Sequence, residues 1–145
     1  MIKVLVADDH PMVQKVLHRL LEQPGDIEIV AMETNGKNAV NQAILFRPNV
    51  AVIDASMPIM NGIEVTKQIL AQSPETRVLI ISGYDSNEFI QKILQAGAFG
   101  YVLKESLSKD LIAGIRTVYE GRPYFSQQIA HVIRRYRADL IDSPL

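Results

Sequence analysis

The stretch Val50-Ala51-Val52-Ile53-Asp54 decides the fold, because four apolar residues in a row end on a carboxylate. A second run of this kind, residues 2–7, ends on the pair Asp8-Asp9. Short, nearly continuous apolar runs are typical of inner strands in a parallel sheet whose two faces are both covered by helices. In such sheets ligands bind outside the carboxyl ends of the strands. The sequence therefore predicts an acidic crevice at one edge of a parallel sheet.

Strand patterns and helix patterns alternate along the rest of the chain. The predicted strands are Ile2 to Ala7, Ile27 to Met32, Val50 to Asp54, Val78 to Ile81 and Tyr101 to Leu103. Apolar residues at helical spacing follow each strand; Ser86 is suited to cap the fourth helix, and Gly97 to end it. Five strand–helix units in series imply right-handed crossovers. We therefore predict a doubly wound α/β fold with a five-stranded parallel sheet.

The residues after the fifth helix form a less regular pattern. A turn is expected near Gly121-Arg122-Pro123, and residues 126–145 are predicted to form a helix that leads out of the domain. Four apolar side chains would share one face of this helix. They are Ile129, Val132, Ile133 and Tyr136.

Composition limits the classes of protein to which the chain can belong. With 145 residues, 48% of them hydrophobic, the chain fits one globular domain. Fifteen Lys and Arg against sixteen Asp and Glu give a net charge of −1, which disfavours direct binding of this segment to DNA. No cysteine is present, and no apolar run approaches the roughly 20 residues of a membrane helix. We expect a cytoplasmic protein that does not enter a membrane.

Three carboxylates are expected to converge at the predicted crevice. If the first and third strands are neighbours, Asp8, Asp9 and Asp54 meet where the winding direction of the chain changes. Carboxylates in one crevice repel each other, and a hard cation that prefers oxygen ligands relieves the repulsion. Ser82 and Lys104 end two further strands and can reach the same edge. This set predicts a Mg²⁺-dependent phosphate site in which an aspartate could form an acyl phosphate.

Each of these residues taken singly has a simpler interpretation. Paired aspartates form turns, a lone lysine is usually a surface charge, and Tyr101 could be an ordinary strand aromatic. Placement at four of five strand ends favours function over these alternatives. The three histidines, His10, His18 and His131, show no partner pattern and are interpreted as structural or exposed.

The motifs together resemble the receiver domain of bacterial two-component response regulators. The resemblance covers residues 1–121 and rests on a set of short motifs: Asp8-Asp9, Asp54, Met57-Pro58-Ile59-Met60-Asn61-Gly62, Ser82-Gly83 and Tyr101-Val102-Leu103-Lys104. The opening Val-Leu-Val-Ala-Asp-Asp-His-Pro is similar to the NarL/LuxR-type branch. The resemblance implies a flavodoxin-like (βα)5 fold with strand order 2-1-3-4-5.

The resemblance also implies roles for the residues of the site. Asp54 would be the phosphoacceptor. Asp9, Asp54 and the backbone carbonyl of Ser56 would bind Mg²⁺, and Asp8 would hold a metal-bound water. Lys104 would neutralise the phosphoryl group.

Two further residues would form a switch that responds to phosphorylation. Ser82 would donate its hydroxyl to a phosphoryl oxygen, and Tyr101 would rotate from exposed to buried. The resulting surface change could lie on the fourth helix, fifth strand and fifth helix, or on the first and fifth helices. Either surface could mediate a homodimer, and the sequence does not choose between them.

The same resemblance implies partners. A sensor histidine kinase would supply the phosphoryl group, and residues 122–145 would link the receiver to a helix-turn-helix domain through which DNA is bound. The chain would be a signalling domain and not an enzyme in the usual sense. Two alternatives stay open: an interaction domain that works without phosphorylation, and a phosphohydrolase that passes through an aspartyl phosphate. The second fits less well, because such enzymes usually carry Asp-x-Asp after the first strand, where this chain has Asp8-Asp9-His10-Pro11.

Overall fold

Alternating strands and helices build one parallel sheet, seen in a computed structural model that describes residues 1–83 and 86–135. The strands are β1 Ile2–Ala7, β2 Ile27–Glu33, β3 Val50–Asp54, β4 Arg77–Ser82, β5 Gly100–Leu103 and β6 Tyr124–Phe125. The helices are α1 Pro11–Glu22, α2 Gly36–Phe46, α3 Gly62–Gln72, α4 Asn87–Gln95 and α5 Leu107–Tyr119. The predicted α/β class is confirmed.

The strand order is β2-β1-β3-β4-β5-β6, and all the pairs are parallel. The predicted order 2-1-3-4-5 describes the first five strands, but the prediction of a five-stranded sheet is wrong. The sixth strand has only two residues, Tyr124 and Phe125, which pair with Gly100 and Tyr101 at the edge of β5. A strand of two residues is too short to show an alternating pattern in the sequence. It forms because its backbone pairs with the open edge of β5.

Each inner strand sends alternate side chains to opposite faces of the sheet. On β1, Leu5 and Ala7 face the cluster formed with α2, α3 and α4, whereas Val4 and Val6 face the cluster formed with α1 and α5. The residues of β3 divide in the same way. Both faces are therefore buried, which explains why these strands are apolar at nearly every position.

Local capping agrees with the sequence patterns. Ser86 Oγ accepts a hydrogen bond from the amide of Phe89 at 3.2 Å and so caps α4. Gly97 follows α4 with φ +108, the left-handed conformation that favours glycine at a helix end. Asn61 caps α3 in the same manner, through the amide of Glu64. The predicted start and stop of the fourth helix are confirmed.

The residues that follow α5 pack against the domain. We call residues 124–133 the edge segment; it contains β6, a 3-10 turn at Gln127–Ile129 and the start of a helix over 130–135. The predicted helix from residue 126 therefore begins four residues later. Ile129, Val132 and Ile133 are at most 5% exposed and belong to the same apolar cluster as α4. Tyr136 lies outside the described residues.

Among the helices in the described ranges, none combines the length and apolar character needed to cross a bilayer.

Candidate functional site

The acidic crevice is built by the pairing of β1 with β3. Ala7 pairs with Ile53, so Asp8 and Asp54, the next residue in each strand direction, emerge side by side at one edge of the sheet. Asp8 is 0% exposed and Asp54 is 1% exposed. The predicted convergence of the two carboxylates is therefore present in the structure, and both lie where water is largely excluded.

Lys104 reaches both buried carboxylates from the end of β5. Because β4 lies between β3 and β5, the lysine side chain extends across the end of β4. Its Nζ lies 3.2 Å from Asp8 Oδ2 and 3.2 Å from Asp54 Oδ2. One ammonium group thus faces two negative charges, and the remaining carboxylate, Asp9, leaves the site with an excess of acid.

His10 also lies in this crevice; its ring is exposed, as one of the predicted alternatives had it, but it contacts partners that no sequence pattern indicated. Its Nδ1 is 3.1 Å from Asp8 Oδ1, 3.2 Å from Asp9 Oδ1 and 3.6 Å from Asp54 Oδ2. The ring is half exposed, whereas the carboxylates of Asp8 and Asp54 are buried. The sequence signal was the position of His10 directly after the acidic pair, in the turn that leads into α1.

The environment of Asp54 disfavours its charged form. The pKa of Asp54 is raised from 3.8 to about 6, chiefly because burial removes the carboxylate from water. The amide of Ser56 opposes this by donating to Asp54 Oδ1 at 3.1 Å. The Asp8 carboxylate raises the pKa further, and Lys104 lowers it. A second cation at the site would favour the ionised carboxylate.

Three carboxylate oxygens in the crevice have ion-pair contacts: Asp8 Oδ2 and Asp54 Oδ2 share the Lys104 ammonium, and Asp9 Oδ1 faces the His10 ring. One ammonium group does not balance three carboxylates, so the crevice can take a further cation. Oxygen donors in this number suit a hard divalent ion such as Mg²⁺. The residues present therefore fit a divalent cation held by Asp8, Asp9 and Asp54.

Ser56 lies two residues beyond Asp54, and its amide hydrogen bond places its backbone beside that carboxylate. The loop that follows approaches the strand closely: a Cβ on Gly62 would lie 2.8 Å from Cα of Ala55. Glycine is therefore required where the loop turns into α3. Binding of a metal by the Ser56 carbonyl stays a prediction.

The two predicted switch residues lie on β4 and β5. Ser82 is buried at the end of β4 and pairs with Leu103, next to Lys104. A cavity of about 150 Å³ opens at this point, and Ser82, Gly83 and Lys104 line part of it. Tyr101 is fully buried, with its ring edge-on to that of Phe89 at a centroid distance of 6.4 Å. The structure thus holds Tyr101 in the inward position.

Comparison with known proteins shows the family of the chain. Residues 4–116 match the family described as the response regulator receiver domain. The chain belongs to the response regulator receiver family. As a receiver it is 36% identical over 128 residues to the oxygen regulatory protein NreC of Staphylococcus epidermidis, covering 88% of this chain and 59% of NreC.

Solved structures of receivers place this one in the NarL/LuxR branch. A LuxR-family response regulator from Aurantimonas sp. superposes with a TM-score of 0.87 at 31% identity, over 94% of this chain and 97% of that one. The receiver domain of a NarL regulator from Mycobacterium tuberculosis gives 0.80 at 31% identity, over 83% and 98%. The chain spans about three fifths of the length of the curated relatives it matches.

Gln14 is a second residue of this receiver site that sequence reasoning missed. Its side-chain amide donates to the backbone oxygens of Asp8 and Glu33, at 2.7 Å and 3.1 Å. It thereby fixes the end of β1 against the end of β2. The sequence offered only its position one turn into α1, because neither acceptor is a side chain.

Proposed function

We propose that Asp54 of this receiver accepts a phosphoryl group from a sensor histidine kinase in the presence of Mg²⁺. The observation that carries the proposal is the crevice itself: three carboxylates meet one ammonium group at one sheet edge, and two of the three are buried. A structural cluster would balance these charges within the protein. Here negative charge is left over for a divalent cation.

The metal would be held by the side chains of Asp9 and Asp54 and by the backbone carbonyl of Ser56, with Asp8 holding a metal-bound water. Bound there, Mg²⁺ would neutralise charge that develops on the transferring phosphoryl oxygens. The buried position of Asp8 and Asp54 supports this, because electrostatic interactions are stronger where water is excluded.

In the transfer step, a carboxylate oxygen of Asp54 attacks phosphorus and forms the new O–P bond. The N–P bond of the phosphohistidine breaks, and the imidazole nitrogen keeps the electron pair. Lys104 Nζ lies 3.2 Å from Asp54 Oδ2 and would pair with a phosphoryl oxygen after transfer. The chain would carry the group and not turn over a substrate.

Phosphorylation would then change the receiver surface through Ser82 and Tyr101. The cavity beside Lys104 gives the Ser82 hydroxyl a route to a phosphoryl oxygen, and that movement would hold Tyr101 inward. A phosphoryl group that contacts one conformation better shifts the population towards it. We also propose that the altered surface mediates formation of a homodimer.

The output of the whole protein would be transcriptional. We assign residues 1–121 to the receiver and residues 122–145 to a linker towards a helix-turn-helix domain that binds DNA. The names of the relatives support this, since one is the transcriptional regulatory protein DegU of Brevibacillus brevis. A cytoplasmic location, where a kinase of this class would meet its regulator, belongs to the same proposal.

The test is mass spectrometry after incubation with Mg²⁺ and a small acyl phosphate. The expected result is one added phosphoryl group, no gain in Asp54→Ala, and an unchanged gain in Asp26→Ala, which alters an exposed aspartate. Chelation of the metal should abolish the gain. No gain at any Mg²⁺ concentration would favour the interaction domain, and continuous release of phosphate from simple phosphate esters would favour the phosphohydrolase.

A further inference from the structure

The edge segment is attached to β5 just before Lys104. The Ser126 amide donates to the carbonyl of Tyr101 at 3.0 Å, and Ser126 Oγ accepts from the amide of Leu103 at 3.0 Å. Strand pairing ends at Tyr101 and Phe125, so one side-chain hydroxyl takes the place of a further backbone partner for Leu103. Ser126 is 0% exposed, and water therefore does not compete for these hydrogen bonds.

A second attachment lies just after Lys104. The side-chain amide of Gln128 donates to Ser106 Oγ, in the turn between β5 and α5, at 3.2 Å. The hydroxyl of Ser126 also donates to Asp110 Oδ2 on α5 at 3.0 Å. The backbone of Lys104 thus lies between two attachments to the same segment. Any shift of this backbone has to move the edge segment or break its hydrogen bonds.

The edge segment also packs into the apolar cluster that contains Tyr101. Ile129, Val132 and Ile133 belong to this cluster, and Tyr101 is 0% exposed within it. A Tyr101 ring that turned outward would leave empty space in the cluster, and empty space in a packed core lowers stability. The docked edge segment therefore favours the inward position of Tyr101.

We propose that docking of the edge segment is coupled to phosphorylation of Asp54, so that a phosphoryl group holds the segment more firmly on β5 and α4. The inference rests on the proposed function, in which Lys104 pairs with a phosphoryl oxygen and Tyr101 is held inward. Two events that favour the same conformation favour each other, and the coupling has the same size in both directions. The chain continues from the helix over 130–135, so the docked segment fixes the point from which the following residues leave the receiver.

Hydrogen exchange measured by mass spectrometry tests the first direction of the coupling. The full chain is compared in Mg²⁺ with and without beryllium trifluoride, an anion that mimics a phosphoryl group on an aspartate. We expect exchange of the amides in residues 124–133 to slow about fivefold or more, the lower end of typical coupling between two sites. The turn between α3 and β4, at the opposite edge of the sheet, is the internal reference and should not change.

Affinity for the same anion tests the reverse direction. Fluorine nuclear magnetic resonance measures binding of beryllium trifluoride in Mg²⁺. Ser126→Ala removes the partner of Leu103 and should weaken binding about fivefold or more, although Ser126 lies outside the crevice. Gln128→Ala removes only the contact to Ser106, and a loss of about twofold is expected.

Gln127→Ala is the matched control. Gln127 is the exposed neighbour of Gln128, and within the described ranges its side chain has no hydrogen-bond partner, so the variant should bind the anion like the wild type. Circular dichroism checks that each variant is folded. A general loss of packing would lower the stability of Ser126→Ala equally with and without the anion, whereas coupling changes the affinity itself.

Two results would overturn the inference. One is unchanged exchange of residues 124–133 in a chain that binds the anion, and the other is the same affinity in Ser126→Ala as in Gln127→Ala. If Ser126→Ala does not fold, the second criterion applies to Gln128→Ala. In each case the proposed function would stand. A wild type that neither binds beryllium trifluoride nor gains mass with an acyl phosphate would overturn both proposals.

Discussion

Asp54 and Asp110 are both buried aspartates of this receiver, but their oxygens have different partners. Asp110 lies on α5, where Oδ1 accepts from the Tyr124 hydroxyl at 2.7 Å and Oδ2 accepts from Ser126 Oγ at 3.0 Å. Asp54 accepts one hydrogen bond, from the amide of Ser56, and its other oxygen shares the Lys104 ammonium with Asp8. Each oxygen of Asp110 has a hydroxyl donor of its own, whereas Asp54 and Asp8 divide one cation between them.

The difference separates an acidic group that supports the fold from one whose burial costs stability. Ser126 also accepts from the amide of Leu103 at 3.0 Å, so the Asp110 network joins α5, β5 and the edge segment. Buried polar groups that are fully paired stabilise one arrangement of the chain, whereas unpaired ones cost stability. The charged form of Asp54 is thus unfavourable where it lies, and the same substitution at the two sites should have opposite effects.

The largest effect is expected for Asp110→Asn, which should lower the free energy of unfolding by about 2 to 4 kcal/mol. The amide removes the charge that accepts both hydroxyl hydrogen bonds and leaves at least one buried hydroxyl without an acceptor. Urea denaturation measures the loss. The control, Asp26→Asn, breaks a solvent-exposed pair with Arg116 and should change the free energy of unfolding little. A cost at Asp110 as small as that would show that the network contributes little.

Asp54→Asn should have the opposite sign. In metal-free protein at pH 7 we expect a gain of about 1 to 2 kcal/mol, because the neutral amide avoids part of the cost of burying the charge and each unit of pKa shift corresponds to about 1.4 kcal/mol. Added Mg²⁺ should stabilise the wild type and not the variant. If the variant is less stable than the wild type without metal, the charged Asp54 carboxylate does not destabilise the fold.

The pH dependence of stability shows directly whether the charged Asp54 carboxylate stabilises or destabilises the folded chain. The pKa is 3.8 unperturbed and about 6 in the folded state, so between these values the folded chain holds a proton that the unfolded chain has lost. The stabilisation by the neutral carboxyl is complete below pH 3.8 and disappears as pH rises through 6. The free energy of unfolding of Asp54→Asn should therefore increase relative to that of the wild type as pH rises from 3.8 to about 6. Denaturation at several pH values measures this difference.

The sequence predicts the scaffold of the site better than its details. Asp8 and Asp54 could be placed because apolar runs identify inner strands and parallel strands align their ends. The contacts of His10 could not be predicted, because they depend on the backbone path of the turn between β1 and α1. The link from Asp110 to Ser126 joins residues 16 apart through packing of the edge segment, which no local pattern encodes.

A smaller effect is expected for Tyr124→Phe, which removes one hydrogen bond to Asp110 and should cost about 1 kcal/mol. Burial and the Asp110 hydrogen bond raise the pKa of Tyr124 from 10.0 to about 12. The folded chain keeps the phenol proton in this interval, so the stability that Tyr124 contributes falls as pH rises from 10 to 12. The Phe variant should lack this slope. An identical slope in both proteins would place the alkaline transition on another group.

The smallest effect concerns backbone strain in the loop after Asp54. Ile59 has φ +74, which is unfavourable for a β-branched residue, and its side chain is 77% exposed, so little packing compensates. The amide of Met60 donates to the carbonyl of Pro58 at 2.8 Å and closes the tight turn around it. Ile59→Gly should raise the free energy of unfolding by roughly 0.5 to 1 kcal/mol, the strain relieved less the entropy that glycine loses.

Arg47→Gly is the matched control for this variant. Arg47 has φ +44 at the end of α2, away from the crevice, and an unbranched side chain tolerates that conformation better. Thermal denaturation should show a larger gain at Ile59 than at Arg47. Such a result would show that backbone strain, together with carboxylate repulsion, lowers stability in the region of Asp54. Equal gains would show that the carboxylate charges alone, and not strain at Ile59, lower stability in this region.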